Sequence, residues 1–321
     1  MHKISVIIPN YNHSTYLKNR IDSVLNQTYQ DIEVIILDDC SKDDSKDVIQ
    51  EYKNHKKVSH IIYNEINSGS PFIQWQKGFA LAKGEFIWIA ESDDYAEVNF
   101  LEKLLPLFDH NKNVGVVYTD SNIVDANNII HSDYYKKFRN NTFKTKKWNN
   151  DYIKSGIEEI KENLFFECTI NNTSAMVFKK DLLKNVDFDY LKKFKYCGDW
   201  FFFISLLNNC SIAYKKEALN YFKYGTDNFA KGTKSTLNYF KERFMVRYYF
   251  WNQLKSIFTT SERKKLYSEL GIEMRIQLNE VIKGNSNLNG TFKSFALLKK
   301  INQHLFYKQF TYALKAYIWK N

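Results

Sequence analysis

Five short, mostly apolar runs separated by segments of helical period constrain this chain more than any other feature. ISVII (4–8), IEVIIL (32–37), HIIY (60–63), FIWI (86–89) and VGVVY (114–118) each read as a strand. A strand with one wet face alternates apolar and polar residues, whereas an unbroken apolar run needs cover on both faces. Between the first two runs Leu17, Ile21, Val24 and Leu25 recur at helical spacing, with Ser14 or Thr15 available as a cap. Val48, Ile49 and Tyr52 mark a second helix, Pro71 suits the first turn of a third, and a fourth is expected around 98–108. The alternation predicts an α/β fold, a mostly parallel sheet flanked by helices.

Ligands of such sheets bind outside the carboxyl ends of the strands. Here those ends carry Asn10, Tyr11 and Asn12, then Asp38 and Asp39, then Asn64 and Asn67, then Glu91, Asp93 and Asp94. Three acids within four residues repel one another and call for a counter-charge. The chain has no GxGxxG and no GxxxxGK[ST] loop with which backbone amides could cradle a phosphate. A divalent cation held by carboxylates is the other way to bind a diphosphate, and it would assist departure of that group as a Lewis acid. An acidic turn that merely solvates a strand end and caps the next helix would also account for SDD taken alone. The second acid pair at another strand end weighs against that simpler reading.

SVIIPNYN (5–12), LDDCSKDDS (37–45), NSGSPFIQWQKGFALAKGEFIWIAESDD (67–94) and GDW (198–200) together resemble, in order, the motifs of family 2 glycosyltransferases with the GT-A fold. The resemblance covers about residues 3–225. It implies a cytoplasmic enzyme that takes a sugar from a nucleotide sugar, usually a UDP-sugar, with inversion at the anomeric carbon. Carried over by motif, Pro9 and Tyr11 lie at the nucleotide base with Tyr11 stacked on uracil, Asp39 bonds the uracil ring and Asp93 contacts the ribose. Asp94 ligates Mg²⁺ or Mn²⁺ bridging the diphosphate, and Asp199 matches the catalytic base; Glu91, Asn67 and Trp200 are further candidates. Asp199 also has a simple structural reading as the cap of a helix starting at Trp200, and Trp200 is either core or a wall of the acceptor site. Three departures stand out. Glu91 replaces the family's usual aspartate, Cys40 replaces the glycine of the turn after the second strand, where a left-handed backbone is disfavoured for cysteine, and the NSGSPF segment lacks an arginine, so another basic residue is expected to help hold the nucleotide.

Charge divides the chain. Residues 1–240 carry 31 Lys plus Arg against 31 Asp plus Glu, while 241–321 carry 15 against 5, so the whole net charge of +10 lies in the last quarter. We expect a transferase domain over 1–235, with a nucleotide-binding half (1–120) and an acceptor half (121–235), and a basic, aromatic helical region over 236–321. Residues 120–165, polar and rich in Asn and Lys, read as a long connection with local structure. In the tail, aromatic residues interleave with Lys299, Lys300, Lys308, Lys315 and Lys320. Such a surface suits either peripheral contact with an anionic membrane, where a lipid-linked acceptor would lie, or packing on the catalytic domain.

The four cysteines (40, 168, 197 and 210) have no CxxC spacing and the seven histidines no metal-site spacing, which argues against a zinc or thiolate centre. The chain enters its first strand without a signal-peptide pattern, so a cytoplasmic location is expected, with peripheral attachment at the inner face of the cell membrane as an extension. Nucleic-acid binding, suggested by the basic tail, leaves the acidic sheet edge unexplained. A non-catalytic nucleotide-sugar-binding module is opposed by the presence of Asp39, Asp93, Asp94 and Asp199. A sugar nucleotidyltransferase is opposed by the lack of a glycine-rich basic N-terminal loop. The expected partners are a nucleotide-sugar donor and a glycan or lipid-linked acceptor.

Overall fold

The computed structural model describes residues 3–224, 237–282 and 288–318. The expected boundary at 235/236 and Lys320 lie outside the described residues. The chain divides into two compact units. One comprises Met1–Leu164, Cys168–Lys193 and Phe202–Thr226, and the other Phe165–Glu167, Phe194–Phe201 and Asp227–Asn321.

The apolar runs of the first unit become β1 (Ile4–Asn10), β2 (Ile32–Asp38), β3 (Val58–Tyr63) and β4 (Phe86–Ile89). Every residue of β1, β2 and β4 is buried, as unbroken apolar strands require. These strands pair in parallel in the order β3-β2-β1-β4, with Asn10 opposite Asp38 and Ile7 opposite Ile89. Their carboxyl ends therefore share one edge. Helices α1 (Ser14–Leu25), α2 (Ser45–Gln50) and α3 (Pro71–Leu81) make the crossovers. Leu17, Ile21, Val24 and Leu25 are buried on α1, and Pro71 stands at the first position of α3. The N-cap position of α1 is His13, and the backbone N–H of Ser14 is satisfied by Asp43 from the next crossover at 2.8 Å, not by a Ser14 or Thr15 cap.

Beyond β4 the sheet becomes mixed. A short β5 (Tyr95–Ala96) is followed by α4 (Phe100–Leu104) and α5 (Pro106–His110), two helices where one was expected because Pro106 interrupts the run. Strand β6 (Val114–Val124) continues well past the apolar stretch. The segment expected as a long connection contains β7 (Ile130–His131), α6 (Tyr134–Phe143), β8 (Tyr152–Ser155) and α7 (Gly156–Glu159). Then come β9 (Met176–Lys179), α8 (Phe188–Leu191), α9 (Gly198–Leu207) and β10 (Ser211–Lys223). β9 lies antiparallel between β4 and β6, and β10 runs parallel to β6.

Buried Asp120 survives inside β6 because Arg139 of α6 answers it. Its guanidinium donates to Asp120 at 2.6 Å and to Thr169 O at 3.1 Å, and it lies 5.6 Å from the Trp148 ring and 5.4 Å from Tyr214.

Gly78 on α3 permits close approach to β1, since a Cβ there would stand 2.5 Å from Ile7 Cγ2 and 2.9 Å from Ile7 Cδ1. Alanine favours a helix over glycine by about 1 kcal/mol, but overpacking a core costs about 1–3 kcal/mol. Gly78→Ala is expected to lower unfolding free energy by up to about 2 kcal/mol in a urea titration; a gain would mean the α3–β1 seam has room to spare.

The second unit is helical among its described residues outside the segments 165–167 and 194–197 and the short links at 258–259 and 302. It contains α10 (Leu237–Leu254), α11 (Thr260–Ile282), α12 (Leu288–Ile301) and α13 (Gln303–Ile318), and it takes in Gly198–Phe201 of α9. Phe295 is buried and packs edge-on against half-buried Phe306 at 5.8 Å, which stacks on exposed Phe310 at 5.7 Å, so only part of the tail's aromatic content is internal. Phe292, Tyr307 and Tyr312 are exposed. Among the described residues no helix is long and apolar enough to cross a membrane.

Candidate active site

The parallel strands deliver two carboxylate clusters to one sheet edge. In the first, buried Asp38 is a turn-former that accepts from Asn10 Nδ2 at 2.9 Å and from Ser41 N at 3.0 Å. Cys40 follows with φ +64°, so the left-handed turn is made without glycine, and its thiol donates to Glu65 O at 3.2 Å. Asp39 faces the segment between β3 and α3. Its carboxylate accepts from Asn64 Nδ2 (2.5 Å), Ser68 N (2.9 Å), Ser68 Oγ (2.7 Å) and Gln74 Nε2 (2.8 Å). Asn67 closes the same loop by donating to Asp39 O at 3.0 Å and accepting from Gly69 N at 2.7 Å. Pro9 is buried within β1 opposite Leu37, and Tyr11, just past the strand, is 44% exposed.

The second cluster follows β4. Ala90 N donates to Ile7 O at 2.8 Å, which carries the chain on beside β1 and brings Glu91, Asp93 and Asp94 to the edge. Glu91 accepts from Trp75 Nε1 at 2.8 Å, and burial, reinforced by Asp93, pushes its carboxyl up to about 8. Asp94 is 2% exposed and accepts from Asn172 Nδ2 at 3.0 Å and Lys223 N at 3.2 Å. Burial and the neighbouring Asp93 push it up to about 7. The standing counter-charge is Arg20, fully buried on α1, whose Nε donates to Glu91 O at 2.8 Å and whose Nη2 lies 3.8 Å from Asp94 Oδ2. Neither terminal nitrogen of Arg20 has a hydrogen-bond partner among the described residues. Burial lowers its pKa to about 10, which leaves it cationic at neutral pH.

Asp93 and Asp94 are hard oxygen donors of the kind Mg²⁺ and Mn²⁺ take. Among the described residues no group of three or more His, Cys, Asp or Glu side chains surrounds a cation position. The protein alone therefore offers part of a shell. One or two carboxylates completed by substrate phosphates and water is the usual set for such an ion, and a divalent cation would favour the ionised form of buried Asp94.

Asp199 belongs to the second unit, in the first turn of α9. The helix begins at Gly198, so Asp199 lies inside it, and its Oδ1 accepts from the adjacent Trp200 N at 2.7 Å. Burial and the charge of Glu242 push its carboxyl up to about 6 despite that hydrogen bond. Trp200 is 2% exposed, with the Arg243 and Arg247 guanidinium carbons 4.9 and 5.0 Å from its ring. It is a packed core residue.

Arg20, Ser68, Gln74, Asn172 and Glu242 were not evident as site residues in the sequence. Arg20 had a signal: it occupies the apolar helical phase of Leu17, Ile21 and Val24, where a charge is out of place unless paired.

Residues 5–185 match the sequence model of glycosyl transferase family 2. The chain is a family 2 glycosyltransferase. A poly(ribitol-phosphate) β-glucosyltransferase of Bacillus spizizenii is 39% identical over 95 residues, 29% of this chain and 15% of that protein. This glycosyltransferase spans 40% or less of the length of five such curated relatives. The crystal structure of Staphylococcus aureus TarS 1–349 with UDP-GlcNAc superposes with a TM-score of 0.60 at 16% identity over 98% of this chain and 91% of that one. The mannosyltransferase PcManGT of Pyrobaculum calidifontis, in complex with GDP-Man and Mn²⁺, gives 0.58 at 12% identity over 99% and 86%. The glycosyltransferase thus has the GT-A fold expected from its motifs, with a mixed sheet, flanking helices and further helices at its C-terminal end.

Proposed function

We propose that this glycosyltransferase moves a sugar from a UDP-sugar to a hydroxyl of a glycan or lipid-linked acceptor, with inversion, during synthesis of a polysaccharide. The observation that carries the reading is the second acid cluster: a buried carboxylate, Asp94, held at the ligand-binding edge of the sheet at a pKa near 7. Such a group is poorly placed for stability and well placed to meet a cation and a diphosphate. The UDP-GlcNAc bound by TarS and the poly(ribitol-phosphate) acceptor named for the B. spizizenii relative support the donor and acceptor classes.

In this reading Tyr11 stacks on the base, Asp39 and the loop it orders hold the uracil side, and Asp93 contacts the ribose. Asp94, with Asp93 beside it, would hold Mg²⁺ or Mn²⁺, which would supply positive charge to the departing diphosphate. Arg20 adds a fixed cation beneath the same acids and fills the role expected of a basic residue absent from the NSGSPF segment. Asp199 takes the proton of the acceptor hydroxyl as its oxygen bonds the anomeric carbon and the bond to the diphosphate breaks. A base with a pKa near 6 is largely ionised at neutral pH and still basic enough to accept that proton.

UDP binding measured by calorimetry with Mn²⁺, with Mg²⁺ and with chelator tests the donor half. Binding is expected to be at least about tenfold tighter with a divalent ion and to lose that enhancement in Asp94→Ala. Absence of UDP binding by the folded protein in all three conditions would sink the reading and point to another nucleotide or a non-catalytic role.

A further inference from the structure

We propose that Glu242 is a positioning residue for Asp199, its carboxylate fixing the backbone from which the base-bearing helix starts. The inference rests on the reading of Asp199 as the base. Glu242 lies on α10, 3% exposed, and accepts hydrogen bonds from three successive backbone N–H groups: Lys195 (3.0 and 3.1 Å), Tyr196 (2.7 Å) and Cys197 (2.9 Å). These residues immediately precede Gly198 and Asp199. Among the described residues no lysine, arginine or histidine forms an ion pair with it, so this buried charge is compensated by main-chain dipoles of one short segment.

The adjacent turn of α10 secures the other side of Asp199. Arg243 and Arg247 lie over Trp200, and both bond Glu273 of α11, at 2.7 Å each. Arg243 also bonds Glu167 at 3.0 Å. Asp199 is thereby bracketed by residues 195–197 and by Trp200, each held from α10. The groups acting on its carboxyl are Glu242 from α10, which raises it, and the Trp200 N–H of its own helix, which lowers it; the Asp199 charge in turn pushes the buried Cys197 thiol up. Glu242 raises the Asp199 pKa by its charge as well as holding its backbone.

Glutamine at 242 keeps the size of the side chain but turns an NH₂ toward backbone donors that need an acceptor. In the full chain, Glu242→Gln, Glu242→Asp and Asp199→Asn would be compared with the parent by carbon-13 titration of the Asp199 carboxyl, by UDP calorimetry and by UDP release from UDP-GlcNAc across pH. For Glu242→Gln we expect UDP affinity within about twofold of the parent, an Asp199 midpoint lower by about half a unit or more, and turnover down about 10- to 100-fold. Glu242→Asp should restore part of both. An unmoved midpoint with turnover within twofold of the parent overturns the proposal. If Asp199→Asn turns over as fast as the parent, the base assignment fails by itself, and the carboxyl titration still decides what Glu242 does.

Discussion

Asp199→Asn is expected to lower kcat by about 10³-fold while leaving UDP affinity within about twofold, because general base catalysis is typically worth 10²–10⁴. The amide is close to the carboxylate in shape and can still accept from Trp200 N, so the fold around α9 should persist. What disappears is the acceptor of the proton. The parent's kcat, with donor and divalent ion saturating, is expected to carry the same signature in its pH dependence. On the proposed mechanism the ionised form of Asp199 is the active one, and burial with Glu242 pushes its pKa up to about 6, so the rate should rise with pH through about 6 and then level off. In Asp199→Asn the residual rate should lack that limb. Retention of both the rate and the acid limb in the variant would place the base elsewhere.

Arg247→Ala should destabilise the helical unit by about 3–5 kcal/mol, the range for removing one partner of a buried ion pair. Arg247 is fully buried and donates to Glu273 at 2.7 and 3.0 Å, to Phe165 O at 3.2 Å and to Phe166 O at 2.6 Å. Its loss takes the Arg247 hydrogen bonds from buried Glu273, which keeps those of Arg243, and removes a donor from the Phe165 and Phe166 carbonyls. Burial alone would raise Glu273, but Arg243 and Arg247 pull it down to about 2. A carboxylate depressed in this way contributes stability that is present above its unfolded pKa, near 4.3, and is lost as pH falls toward 2. The gap between parent and variant in chemical denaturation should therefore be widest near pH 7 and narrow between pH 4 and 2. A variant as stable as the parent at pH 7 would show that the cluster is electrostatically neutral to the fold.

The strands of the donor half were legible because their burial is written in composition: FIWI holds no polar residue and IEVIIL only Glu33. The extension of β6 was not legible, since TDSN looks like a turn until Arg139, from a helix in a stretch read as connection, supplies the partner for Asp120. Local chemistry placed Asp39 and Asp94 at the edge, but the sequence does not show that Asp39 already spends its carboxylate on Asn64, Ser68 and Gln74. The same limit applies to Glu242, whose hydrogen bond to Cys197 spans 45 positions and leaves no periodic trace. Cys40 was the opposite case: the motif marked a glycine position, and the backbone adopts φ +64° there with a cysteine in place. The strain is small enough for a thiol that ties the turn to Glu65 O to tolerate it.

The order in which the polypeptide is made gives the held segment 195–201 a further meaning. Strands β1 to β4 all lie within the first 89 residues, so their parallel pairing and the loop around Asp39 can form on a nascent sheet, whereas Asp94 awaits Asn172 and Lys223. The segment bearing Asp199 draws its fixed partners from Glu242, Arg243 and Arg247, which leave the ribosome later. The loop around Asp39 can thus be ordered early, while the surroundings of Asp94 and of Asp199 are each completed late.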